Sequence, residues 1–150
     1  MEELTILDRA IRLQKVELFS DLETELLALI ASLARQEHAD AGQVLVEHDR
    51  VLGSLYVVLE GCIDMQRGGR TLFTVGPDET IGNWALFDRQ PSVVRAVAAE
   101  PTWLLRIDRE DFYDLLADHS EMTRELFYAL FKRVRSLLAA GLGSSTESSA

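Results

Sequence analysis

Three histidines, His38, His48 and His119, and one cysteine, Cys62, are the side chains best suited to bind a metal or attack a substrate. Metal sites place their ligands at short, recurrent spacings, and these histidines are scattered. The lone Cys62 cannot hold an iron–sulfur cluster, which takes about four thiolates. Nor can it close an internal disulfide, so nothing points to an oxidising compartment. It follows Gly61 in a strand-forming run, where a thiol packs as a small apolar group. No nucleophile elbow, phosphate loop or paired-carboxylate motif occurs. The 25 acidic residues are spread along the chain, as on a solvated face. The expected catalytic set and metal site are therefore none.

The chain has 150 residues, 47% apolar and 27% charged, enough for one compact domain with its own core. Its net charge of −10 repels nucleic-acid phosphates and anionic lipid. The chain alone is therefore not expected to bind nucleic acid. An anionic ligand would need a local positive site. The start, Met1-Glu2-Glu3, lacks the basic-then-apolar pattern of a signal peptide. No apolar run approaches the roughly 18 residues of a membrane helix. The expectation is a cytoplasmic protein with no direct membrane insertion.

Leu4 to Val16 reads as a helix, with Leu4, Leu7 and Ile11 as its apolar stripe, widened by Leu13 and Val16. Ser20 or Asp21 can cap a second helix from Leu22 to Arg35, rich in buried leucines. The character then changes. Val44–Val46, Leu55–Leu59, Ile63–Met65, Thr71–Val75, Val93–Val97 and Trp103–Ile107 read as short strands separated by turns. Gly68-Gly69 between two such runs is a hairpin signal. Short strands at this spacing describe a sandwich or barrel. Helical periodicity returns at Asp108, a natural cap with Asp111 three residues on. Phe112, Leu115 and Leu116 form the buried face of that helix. Ser120 caps a last helix to about Leu138, and a Gly/Ser-rich polar tail follows from Gly141.

Within this frame one segment stands out, Ile81-Gly82-Asn83-Trp84-Ala85-Leu86-Phe87-Asp88-Arg89-Gln90-Pro91-Ser92-Val93-Val94-Arg95-Ala96-Val97. It resembles the phosphate-binding cassette of the cyclic-nucleotide-binding domain family, the sensor domain of catabolite-activator-type bacterial regulators. The family pattern is Phe-Gly-Glu-x-Ala-Leu, then Pro-Arg-x-Ala-x-Val. The spacing from Gly82 to Pro91 matches without a gap. So does the closing Leu-x-x-Ile-Asp-Arg-x-x-Phe, here Leu104, Ile107, Asp108, Arg109 and Phe112. The resemblance covers about residues 15 to 138. It implies a mainly β fold with flanking helices: a double-stranded β-helix, the jelly-roll or cupin-like β-roll. N-terminal helices would occupy 1–36, the roll 37–108 and a C-terminal helical pair 109–140, with 141–150 a polar tail. A metal cupin shares that shape but needs clustered histidines.

In the family, backbone N–H groups and an arginine hold the cyclic phosphate, and a glutamate takes the ribose hydroxyl. Here the glutamate position is Asn83 and the arginine position is Ser92, followed by Val93. Gly82, Ala85, Leu86 and Pro91 survive. Losing one side of a buried charged contact costs about 2–5 kcal/mol. Losing two anchors weakens binding by roughly three to six powers of ten.

The candidate ligand-binding residues are Gly82, Asn83, Trp84, Ala85, Arg89, Ser92, Val93 and Arg95. Asn83 offers an uncharged ribose contact or a helix cap, the cap being favoured. Trp84 could stack on a purine, or plug the vacated pocket together with Phe87. Ser92 could donate to phosphate, but a hydroxyl there more often satisfies local backbone. Arg95 lies three residues past Ser92, so alternation sends it to the opposite face. Arg89 either turns inward or stays solvated. The ligand class implied is cAMP or cGMP, with no cofactor certain.

On the last helix Phe127, Leu130, Val134 and Leu137 form a coiled-coil-like seam. Met122, Leu126 and Phe131 form a second stripe that can face the body. An apolar surface this wide usually meets two partners. The seam is therefore expected to carry a homodimer or a partner-protein contact. The functional expectation is a regulatory or assembly module with weak or lost cyclic-nucleotide binding, acting through protein contacts. The alternatives are a nucleotide sensor with a non-standard site, or the sensor half of a transcription regulator. Only about a dozen residues follow Leu138, with no basic helix for DNA.

Overall fold

The computed structural model describes every residue except Trp84 and Ala150, with the backbone alone for residues 142–149. Two helices open the chain, α1 (Ile6–Gln14) and α2 (Thr24–Leu33), with a 3₁₀ turn at Glu17–Phe19 between them. Eight strands follow: β1 (Arg35–Ala39), β2 (Val44–Val46), β3 (Ser54–Glu60), β4 (Ile63–Arg67), β5 (Arg70–Val75), β6 (Thr80–Ile81), β7 (Arg95–Ala98) and β8 (Thr102–Asp108). The helices α3 (Arg109–Asp118) and α4 (Ser120–Ser149) close the order.

The strands form two four-stranded antiparallel sheets, β1-β8-β3-β6 and β2-β7-β4-β5. This is the β-roll with flanking helices that the sequence leads one to expect. Strand β3 shows why its sequence is a continuous apolar run. Leu55, Val57 and Leu59 pack toward the helices, while Tyr56 and Val58 pack between the sheets. A strand covered on both faces loses the polar alternation of a half-exposed one. On β8, Leu105 and Ile107 join the helical core and Leu104 the inter-sheet core. Burial of each such side chain contributes about 1.5–3 kcal/mol. The β4–β5 hairpin turns at Gly68 and Gly69, with φ of 59° and 77°. That pair of left-handed residues suits the twist of a tight hairpin.

Several local expectations are corrected. Arg35–Ala39 is a strand, so the roll begins before residue 37 and α2 ends at Leu33. The Arg-Gln-Glu-His-Ala segment has no apolar alternation, and its pairing with β8 makes it a strand. The two-residue strand β6 is also absent from the sequence reading; it exists through pairing with Tyr56 and Val57. Helix α1 is rotated from its expected stripe: Ala10 and Leu13 are buried, whereas Leu7 and Ile11 are exposed. Arg12 and Lys15 both reach Asp78, at 2.9 and 3.4 Å, and Arg9 Nη1 donates to the Ala34 carbonyl at 2.8 Å. These contacts set the helix's rotation.

Neither Ser20 nor Asp21 caps α2. Glu23 holds the N-cap position without a side-chain bond, and Ser20 Oγ donates to the Glu17 carbonyl instead. Asp108 does hold the N-cap position of α3, but its carboxylate accepts from Ser54 and Arg106 and not from the helix. Asp111 pairs with Arg35 at 3.5 Å. Helix α4 runs on past Leu138 and Gly141 to Ser149. Its body face is Met122, Leu126, Ala129 and the half-buried Leu130, whereas Phe131 is 72% exposed. Positions 122, 126, 129 and 130 share one helical face, and 131 falls outside it. No helix among the described residues is long and apolar enough to cross a membrane.

Candidate functional site: a cleft under the cassette turn

The segment after β6 leaves the sheet through Gly82, at φ 78°. A Cβ there would stand 2.5 Å from Leu52 Cδ2 and 2.9 Å from the Ser54 carbonyl. Only glycine fits both the left-handed backbone and the close approach. The chain then turns, with the Ala85 amide donating to the Gly82 carbonyl at 2.9 Å. Ala85 and Leu86 are buried. Phe87 stacks edge-on against Phe112 of α3, ring centres 5.8 Å apart. Phe87 therefore joins the helical core and does not plug the cleft. Pro91 bridges to Val51, and the Asp49 amide donates to the Ser92 carbonyl at 2.8 Å. Both ends of the segment are thus tied to the β2–β3 loop.

Arg109, the first residue of α3, secures the middle. Its side chain is buried and carries its charge among main-chain carbonyls. Nε donates to Ala85 at 2.7 Å, and Nη2 to Leu52 at 2.6 Å and Asp88 at 3.4 Å. In the sequence Arg109 is visible only as part of the Ile-Asp-Arg signature. Its grip on the turn is a tertiary fact.

Between this turn and the sheets lies a cleft of about 460 Å³. Its apolar walls come from Val46, Leu52, Met65, Phe73, Ile81 and Val94. Of the expected site residues, Gly82, Asn83, Ala85, Ser92 and Val93 line it together. Arg89 and Arg95 do not. Arg89 borders a different depression, beside Tyr56 and Arg106. Arg95 points outward and pairs with Glu47 at 3.3 Å, as strand alternation predicts. Trp84 lies outside the described residues.

Asn83 and Ser92, where the resemblance expects charged anchors, both have local partners. The Thr80 hydroxyl donates to Asn83 Oδ1. Asn83 is therefore held by a neighbour and caps no helix; residues 85–87 are turns. Ser92 Oγ donates to the Val94 carbonyl at 2.7 Å and accepts from its amide at 3.3 Å. This is the backbone satisfaction expected of a hydroxyl in that place. Sequence reading missed Thr80 and Phe73 as cleft residues. Thr80 stands three residues before Asn83, a weak signal. Phe73 sits opposite Met65 in the hairpin register, visible only once the hairpin is paired.

Electrostatically the cleft has one carboxylate, Asp88, and no lysine, arginine or histidine among its described lining residues. Arg109 stands behind the wall with its guanidinium engaged by the carbonyls of Ala85, Leu52 and Asp88. Across β1 and β8, Arg106 bridges Glu37 at 3.2 Å and Asp108 at 2.6 Å. Burial works to raise the Asp108 carboxyl. The bonds from Ser54 and Arg106 outweigh it and hold the group below its usual range. Among the described residues no group of three His, Cys, Asp or Glu could hold a metal ion.

On α4 the exposed apolar residues are Phe127, Phe131, Val134, Leu137 and Leu138, with Tyr128 beside them. Phe127, Phe131, Val134 and Leu138 recur at spacings of four, three and four. Leu130 belongs partly to the body, at the edge of the expected seam.

The cyclic nucleotide-binding domain model matches residues 36–119. The chain belongs to the cyclic nucleotide-binding domain family. It is similar to the cyclic AMP receptor protein of Thermus thermophilus, 31% identical over 123 residues, covering 79% of this chain and 57% of that protein. It is similar also to the cAMP-dependent protein kinase regulatory subunit of Yarrowia lipolytica, 24% identical over 78% of this chain and 31% of the relative. Among solved structures, the N-terminal domain of a transcriptional regulator from Streptomyces coelicolor superposes with a TM-score of 0.73. It is 28% identical, covering 87% of this chain and 94% of that one. The chain thus spans less than two thirds of the length of these two curated relatives. By name one of those relatives is a receptor protein and the other a regulatory subunit, and this cyclic nucleotide-binding domain shares the roll of the Streptomyces coelicolor domain. Among the described residues that line the cleft under its cassette turn, however, there is no cation.

Proposed function

We propose that this cyclic nucleotide-binding domain is a non-catalytic, cytoplasmic regulatory or assembly module that binds cAMP and cGMP weakly or not at all. Its output passes through protein contacts of the last helix. Residues 1–140 form the module, and 141–150 a polar tail. The observation that carries the reading is the cleft itself. The scaffold residues Gly82, Ala85 and Leu86 hold their places, yet no basic side chain lines the cleft, and Ser92 and Asn83 are bonded to neighbours. A cyclic phosphate there would lose its ion pair and face Asp88, on a chain of net charge −10.

The output surface is the apolar face of α4. Phe127, Val134 and Leu137 are 59%, 52% and 58% exposed, a cost a monomer has no reason to bear. A parallel pairing with a second copy would cover that face with coiled-coil-like packing. The lengths of the relatives support a larger parent in which this module is one part. A sensor using Arg89 and Arg95 finds no support in a cleft that neither residue lines.

Calorimetric titration with cAMP and cGMP tests the ligand reading, with the Asn83→Glu/Ser92→Arg double variant alongside. The expected result is no saturable heat up to about millimolar ligand for the parent chain, and a gain of roughly three powers of ten or more in the double variant. Micromolar binding by the parent chain would overturn it. Sedimentation equilibrium tests the output surface. A dimer that Phe131→Glu dissociates is expected, and a monomer at all concentrations would refute the pairing.

A further inference from the structure

We infer that the cleft under the cassette turn is a binding site for an uncharged aromatic small molecule. This rests on the reading that the phosphate anchors are gone and asks what the remaining surface suits. A cleft of about 460 Å³ lies within the roughly 300–1,000 Å³ range of small-molecule sites, which are mostly apolar with a few placed polar groups. Its floor is apolar, with Met65 and Ile81 almost fully buried. Its polar groups are hydrogen-bonding and not cationic.

Two further side chains point to an occupant. Phe73 is 55% exposed and Val93 64% exposed, and both line this cleft. They come from different elements, β5 and the end of the cassette turn, and both leave apolar surface of this cleft in water. An aromatic guest would cover both and could stack on the Phe73 ring. Asn83 supplies direction. With Oδ1 engaged by the Thr80 hydroxyl, its amide presents N–H donors to an acceptor on the guest. Charge selects against anions. Asp88 is the one charged side chain among the described lining residues, and the Arg109 guanidinium behind the wall is engaged by main-chain carbonyls, so a phosphate or carboxylate entering the cleft would meet a like charge and no cation of the lining.

The test uses the full chain with Nile red, a neutral flat dye whose emission rises in apolar sites, and displaces it with adenosine or cAMP. Saturable binding of one dye per chain is expected. Adenosine should displace it at a concentration about tenfold or more below that needed for cAMP, a preference of about 1.4 kcal/mol. Val93→Asp and Phe73→Ser, both at exposed positions, should each weaken dye binding about tenfold without lowering the melting temperature. Phe131→Ser on α4 should leave it unchanged, which excludes adsorption to the helix face. Absence of saturable binding, or equal binding by the cleft variants, overturns this inference and leaves the regulatory reading standing. Displacement by cAMP at lower concentration than by adenosine overturns both.

Discussion

Arg109 Nε donates to the main-chain carbonyl of Ala85 at 2.7 Å, joining the first residue of α3 to the turn that roofs the cleft. The same guanidinium holds the carbonyls of Leu52 and Asp88. Ala85, Leu52 and Asp88 all line the cleft. One buried cation therefore positions three pieces of the cleft wall and couples them to the helical pair. Phe87 against Phe112 is the apolar counterpart of that link.

Replacing Arg109 with Met should leave buried carbonyls without donors. Each such loss costs about 1–3 kcal/mol, so the urea midpoint should fall by a clearly measurable amount. Amide exchange in residues 85–92 should accelerate more than exchange in β3. Arg109→Lys should rescue only part of the loss, since an ammonium cannot span three carbonyls set in a planar fork. Uniform acceleration across the whole chain would contradict the local role.

Gly82→Ala should destabilise the fold by about 1–3 kcal/mol through left-handed backbone strain alone. The Cβ clash with Leu52 and the Ser54 carbonyl adds to this. Gly53→Ala is the control. A Cβ there meets nothing within 4 Å, and the change should be small. Chemical denaturation of the two variants side by side checks the contrast.

Acid should weaken the fold through Asp78 and Asp108. Burial tends to raise both carboxyls, but Arg12 and Lys15 at Asp78, and Ser54 and Arg106 at Asp108, bring each below its ordinary value of 3.8. A depressed carboxyl binds its proton more readily in the unfolded chain. Its stabilisation is therefore present above pH 3.8 and lost as pH falls through the lower folded value. Asp108→Asn should flatten the acid limb of the stability curve below that pH. An unchanged limb would remove Asp108 as a contributor.

Glu125 should act in the opposite sense. Desolvation, then Glu23, Glu25 and Glu121 nearby, raise its carboxyl above the ordinary 4.5. The folded state therefore binds this proton more readily, and stability should rise as pH falls toward 4.5 and the repulsion between α2 and α4 is relieved. Glu125→Gln should stabilise the protein at neutral pH, with the gain shrinking in acid. Thermal melts of parent and variant between neutral pH and pH 4.5 measure it.

Local chemistry determined much of this molecule in advance. The β-branched run at Leu55–Leu59, the Gly68-Gly69 turn and the Gly82-to-Phe112 pattern each specify their own backbone, and together they identify the roll and its family. That positions 83 and 92 carry the uncharged Asn and Ser is likewise a property of residue identity, and so is the outward turn of Arg95, which follows from strand alternation.

Only tertiary structure decided the rest, because it depends on partners far away in the chain. Arg35–Ala39 is a strand because β8 pairs with it. The rotation of α1 depends on the core that buries Ala10 and Leu13 and on contacts to Ala34 and Asp78, which no periodicity within α1 can reveal. Leu130 and Phe131 are adjacent leucine and phenylalanine, equal in apolar character, and the position of the core beneath α4 sends one inward and the other to water. The lack of a cation on the cleft is the sum of fourteen described lining residues drawn from residues 46 to 94. Whether Arg89 would supply a charge depended on which way its side chain left the turn, and packing settled that.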